Sequence, residues 1–164
     1  VDAAALVELL TAKSLKLVTA ESCTAGLIAS TLADSEGAGE LLECAFVTYS
    51  PGAKQRCLGV RPETLERFNL TSEEVAREMA EGALRASHAD VAVSNTGVTD
   101  DVDPHIPAGT QCYAWAFRDG DRPPVVFSET RRFQGDRNAI RQQSADHALA
   151  RIPHWHDRFT AASA

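Results

Sequence analysis

Two short blocks hold the side chains best suited to covalent chemistry. They are Thr19-Ala20-Glu21-Ser22-Cys23-Thr24-Ala25-Gly26 and Phe46-Val47-Thr48-Tyr49-Ser50-Pro51-Gly52-Ala53-Lys54. A serine and a lysine are the parts of a nucleophile with its base. A lysine works as a base only when desolvation or neighbouring positive charge brings its pKa to roughly 7–8. Tyr49 can donate into such a pair or simply pack. Ser22 carries two further readings, as a ligand for phosphate at a helix start or as a plain N-cap. Glu21 is either a base or a compensating charge at that helix start. Arg137 lies in the first turn of the last helix, where a cation opposes the helix dipole; an anionic partner and a surface salt bridge both explain it. His154 and His156 do not make up a zinc set, which needs three or four ligands, and no metal is expected.

The elements that must position these residues are read from periodicity. Leu6, Leu9 and Leu10 mark a helix over Ala3–Ala12. Strands are expected at Leu15–Thr19, Cys44–Tyr49, Asp90–Ser94, Thr110–Phe117 and Val125–Phe133, the last two joined as a hairpin around Asp119-Gly120-Asp121. An apolar helix is expected from Thr24 to Leu32, and a second from Pro51 to near Gly59. Thr71-Ser72-Glu73-Glu74 reads as a capping box opening a helix that reaches about Ser87, supported by the pairs Glu73–Arg77 and Glu81–Arg85. Asp136 caps a last helix to about Arg151, where Pro153 is expected to stop it. Residues 95–109 form a long loop without internal periodicity. Helices between the early strands require parallel crossovers, and the late hairpin adds antiparallel strands. The expected fold is a three-layer α/β/α sandwich with a mixed, mainly parallel sheet, as one domain over 1–164 whose last ten or so residues form a tail.

Bulk properties bound the partners. A net charge of −7 with only 16 scattered basic residues argues against a nucleic-acid surface. No apolar run approaches the ~18 residues of a membrane span, and the N-terminus shows no signal-peptide pattern. Cys23, Cys44, Cys57 and Cys112 lack metal-ligand spacing and sit among apolar or small residues. They read as reduced thiols of a cytoplasmic protein.

The first block resembles the A-E-S-C-T-G-G signature of the CinA C-terminal domain family, the nicotinamide mononucleotide deamidases. Phe46-Val47-Thr48-Tyr49-Ser50 with Ala53-Lys54-Gln55 is similar to that family's F-V-T-Y-S-N-E-A-K block, and Phe133-Gln134-Gly135-Asp136-Arg137 to its F-x-G-D-R block. The resemblance implies hydrolysis of the nicotinamide amide to nicotinate mononucleotide and ammonia without a cofactor, in a homo-oligomer. It implies Ser22 as nucleophile, Lys54 as base and Tyr49 as a supporting group. Glu21, Thr24, Gly26, Thr96, Gly97 and Arg137 would then meet the substrate. The family's glycine-rich G-I-A-G-P-x-G-G loop is replaced here by Gly97-Val98-Thr99-Asp100-Asp101-Val102-Asp103-Pro104. Aspartates there are expected to repel a phosphate. That departure leaves open a relative that lost the reaction and binds a ligand or partner, or one that accepts a less anionic amide.

Overall fold

The computed structural model describes residues 3–163. In chain order the elements are α1 (Ala3–Ala12), β1 (Leu17–Glu21), α2 (Leu27–Ala33), β2 (Leu42–Val47), α3 (Pro51–Leu58), α4 (Pro62–Arg67), α5 (Glu73–Arg85), β3 (Val91–Gly97), β4 (Thr110–Asp119), β5 (Arg122–Arg132), α6 (Arg137–Ala150) and α7 (Ile152–Ser163). The strands form one sheet in the order β2-β1-β3-β4-β5. β1 is parallel to both β2 and β3, and β4 is antiparallel to both β3 and β5. Four of the five strands therefore run the same way, and β4 alone opposes them.

Period-two alternation assigns the two faces. Leu17, Val91, Val93, Tyr113, Trp115 and Phe117 build one core with side chains of α1, α2, α6 and α7. Val18, Ala20, Ala92, Cys112, Ala114 and Ala116 build the other, largely against α5. Small strand residues on that face let α5 lie close, while the aromatic side chains fill the opposite layer. The expected three-layer sandwich is the observed one.

Several local expectations change. The apolar helix starts at Leu27 rather than Thr24, because the chain first makes a tight turn through Ala25 at φ 49 and Gly26 at φ 98. The cap of α5 is Ser72, which accepts from Val75 N, and not Thr71. Glu73 accepts hydrogen bonds from Ser128 and Thr130 on β5, and Arg77 and Arg85 donate to Val126 and Leu58 carbonyls, so the expected i,i+4 pairs give way to tertiary partners. Pro153 does not end the chain's helical structure. It falls in the first turn of α7, where its missing N–H costs nothing. The expected tail is thus helical through Ser163; Ala164 lies outside the described residues. Its Trp155 stacks on Phe127 and its Phe159 on Phe117, at centroid distances of 4.8 and 5.1 Å. Among the described residues no helix is long and apolar enough to cross a membrane.

Candidate active site

The carboxyl ends of β1, β2 and β3 converge on Ser22. Glu21 ends β1 fully buried, and its carboxylate turns toward the start of α2. It accepts five hydrogen bonds, from Thr19 Oγ1, Thr24 Oγ1 and the N–H groups of Gly26, Ile28 and Ala29. The anion-binding helix start expected from sequence is therefore filled by the protein's own carboxylate. That arrangement fixes the intervening turn, and with it Ser22, 8% exposed at the cavity wall.

Lys54 reaches the same point from α3. Ser50 caps that helix by accepting from Ala53 N, and Pro51 occupies its first turn. The Lys54 side chain folds inward until it is 1% exposed. Its Nζ donates to the carbonyls of Thr48 and Tyr49 at 2.7 and 3.1 Å, and lies 2.9 Å from Ser22 Oγ. No carboxylate is among these partners. Burial pushes the amine down from 10.5 to about 8. A neutral amine has two N–H donors and one lone pair. With the donors taken by the two carbonyls, the lone pair is left for the Ser22 hydroxyl. Among the described residues Thr48 Oγ1 is the one buried side-chain polar atom without a partner.

A buried polar cluster backs the turn. Asn95 accepts from Ser22 N through its carbonyl and from Thr24 N through Oδ1. Its Nδ2 donates to Gln111 Oε1 at 2.8 Å and Ser144 Oγ at 3.1 Å. Gln111 Nε2 donates to the Val98 carbonyl. Arg141, from α6, donates to the carbonyls of Cys23 and Thr24. None of Asn95, Gln111, Ser144 and Arg141 was singled out from sequence as a site residue. One signal was present: alternation puts Asn95 on the face of Val91 and Val93, and Gln111 on the face of Tyr113 and Trp115. Polar residues in core register need partners.

A cavity of about 410 Å³ opens in front of Ser22 and Lys54. Leu65, Phe68, Leu70 and Val102 give it apolar walls, and Tyr49, Thr96, Gly97 and Asp103 also line it. Thr96 Oγ1 donates to the Leu70 carbonyl, tying the wall segment to β3. Gly97 has no room for a side chain, since a Cβ there would come within 2.4 Å of Gln111. Thr96 and Gly97 thus line the cavity. Glu21 and Thr24 do not; both are fully buried and engaged with each other. Gly26 donates to Glu21 and does not line the cavity either. Arg137 stands at the rim, where it donates to Thr99 Oγ1 at 2.7 Å, pairs with Asp100 at 3.2 Å and lies 3.4 Å from the Tyr49 hydroxyl. The four cysteines are free thiols.

A three-layer α/β domain with a buried serine–lysine pair at the carboxyl edge of its parallel strands defines the structural class. The chain belongs to the CinA C-terminal domain family, whose model matches residues 2–155. It is 42% identical over 144 residues to the nicotinamide-nucleotide amidohydrolase PncC of Escherichia coli K12, covering 85% of this chain and 84% of that one. It is 42% identical over 140 residues to a CinA-like protein of Akkermansia muciniphila, covering 84% of this chain and 33% of that one. The chain spans about a third of the length of several curated relatives it matches. Among solved structures, competence/damage inducible protein CihA from Agrobacterium tumefaciens superposes with a TM-score of 0.85 at 34% identity, over 93% of this chain and 92% of that one.

Proposed function

We propose that this chain is an amidohydrolase that converts nicotinamide mononucleotide to nicotinate mononucleotide and ammonia, with Ser22 as nucleophile and Lys54 as base. The observation that carries the reading is the hydrogen-bond inventory of Lys54 Nζ, whose two carbonyl acceptors leave one direction, toward Ser22 Oγ. The substrate is taken from the PncC relatives, which are nicotinamide-nucleotide amidohydrolases.

Ser22 Oγ attacks the carboxamide carbon as its proton passes to Lys54. The tetrahedral oxyanion needs a donor, and the N–H of Cys23, next to the nucleophile, is the nearest in sequence without a partner among the described residues. Lys54 returns the proton to the amide nitrogen, the C–N bond breaks, and ammonia leaves. Water then attacks the ester, giving its proton to Lys54, and Ser22 is regenerated with release of the carboxylate. The fixed positive charge of the substrate's pyridinium ring, brought near Lys54, lowers the amine's pKa further and favours the base form. Tyr49 holds Lys54 through its carbonyl and meets Arg137 through its hydroxyl, at the rim where a phosphate would lie.

One observation favours a binding-only relative, namely the Asp100 carboxylate already seated on Arg137. Turnover separates the two. Ammonia release from nicotinamide mononucleotide is expected of the wild-type protein. Its rate should fall by at least about 10³-fold in Ser22→Ala and in Lys54→Met, the scale of losing a member of a catalytic unit. Tight binding by folded wild type with no ammonia release would establish the alternative.

A further inference from the structure

Asp100, Asp101 and Asp103 form one acidic run in sequence and take three different positions in space. Asp100 pairs with Arg137 at the rim. Asp101 accepts from Ala108 N within its own loop. Asp103 alone lines the cavity that holds Ser22 and Lys54. Besides Lys54, it is the only charged side chain among the described residues of that lining. Its Oδ2 accepts from Asn69 Nδ2 at 2.7 Å and its Oδ1 from His105 N at 2.8 Å, so both carboxylate oxygens are held. The His105 N–H holds its pKa below the usual range, and it is ionised at neutral pH. Leu65, Phe68, Leu70 and Val102 supply the apolar part of the wall.

A negative charge on the lining of a partly apolar cavity favours a cation and penalises an anion. N-Substituted nicotinamides carry a permanent positive charge on the ring that bears the scissile carboxamide. Bringing that carboxamide to Ser22 brings the ring charge into the cavity with it, while a phosphate on the ring's substituent extends toward the rim. We propose that Asp103 is the specificity-determining residue for ring charge, selecting pyridinium carboxamides over uncharged ring carboxamides of the same shape. The inference rests on Ser22 and Lys54 marking where the carboxamide docks. It gives the acidic loop a role in recognition, where the sequence suggested only repulsion.

The test is binding to the Ser22→Ala protein, with no turnover. The probes are oxidised nicotinamide mononucleotide and its 1,4-dihydro form, which shares its ribose, phosphate and carboxamide but has an uncharged ring. The oxidised form should bind about tenfold more tightly. Adding Asp103→Asn should bring the ratio close to one, with the dihydro form's affinity changed by less than about twofold. Asparagine keeps the size and one oxygen acceptor, enough for one of the two donors, Asn69 Nδ2 or His105 N. Asn69→Ala in the Ser22→Ala background keeps the charge but loses the anchor, and should leave the ratio near tenfold. A ratio of one before Asp103 is altered, a ratio that Asp103→Asn leaves intact, equal loss of both affinities, or binding of neither form would each overturn the proposal. Because the readout is affinity, a wild-type protein that releases no ammonia would refute the amidase reading while leaving the charge discrimination measurable.

Discussion

Ser22 and Asp103 face the same cavity from two differently built regions. The turn carrying Ser22 is buried and over-determined. Glu21 accepts five hydrogen bonds within it, Asn95 ties it to β3, and Arg141 ties it to α6. The loop carrying Asp103 is largely exposed, and each of its aspartates has its own separate partner. Where polar atoms are satisfied inside the fold, replacing one disturbs many contacts. Where they are satisfied at the surface by one or two partners each, one replacement changes few contacts. The proposed nucleophile thus stands on the densely bonded side, and the proposed selectivity residue on the side that tolerates change.

Glu21→Ala is the sharpest way to break this contrast. It strands three backbone N–H groups and two hydroxyls in a buried turn, and a loss of about 3–5 kcal/mol is expected in denaturant unfolding. Asp101→Asn, on the loop, should cost less than about 0.5 kcal/mol. Comparable losses would mean that the loop is as integral to the fold as the turn.

Next in size is the pH dependence set by Lys54. Its pKa is about 8 folded against 10.5 unfolded, so burial disfavours the charged form. Between those values the unfolded chain binds a proton that the native protein lacks, and stability rises with pH. Below pH 8 the penalty is fully present, and above 10.5 it is gone. Relative to Lys54→Met, the wild-type protein should gain on the order of 3 kcal/mol from pH 7 to pH 10.5, measured by unfolding at each pH. Parallel stability curves for the two proteins would show that Lys54 titrates normally.

The smallest effect belongs to Asp100. Its pair with Arg137 is largely exposed, with 56% of the Arg137 and 67% of the Asp100 side chain accessible. Asp100→Asn frees the guanidinium, and binding of nicotinamide mononucleotide to Ser22→Ala should tighten by about two- to fivefold at low salt. The gain should fade at high ionic strength, where exposed charges are screened. A larger gain that survives high salt would mean that this part of the rim closes into a buried site when ligand is bound.

How far the sequence speaks follows the same division. Ser22 and Lys54 were legible because each stands at a change from strand-like to helix-like pattern and within a recognisable family block. The roles of Glu21, Thr24 and Gly26 were not, because a carboxylate beside a helix start reads alike whether it binds that start or waits for a ligand. Only the backbone path through Ala25 and Gly26 shows that Glu21 turns inward. The wall formed by Phe68 and Leu70 gives no periodic signal, because both lie in the segment that follows α4, which ends at Arg67 after six residues. The aspartates looked equivalent because an aperiodic loop gives no indication of where each side chain ends up.

The central claim is that Ser22, activated by Lys54, forms a covalent acyl intermediate. Mixing wild-type protein with nicotinamide mononucleotide, quenching in acid and measuring the peptide that contains Ser22 by mass spectrometry tests it directly. The account predicts a nicotinate-mononucleotide ester on Ser22 and no adduct in Ser22→Ala. An adduct on Cys23 instead, or ammonia release by Ser22→Ala at the wild-type rate, would contradict it.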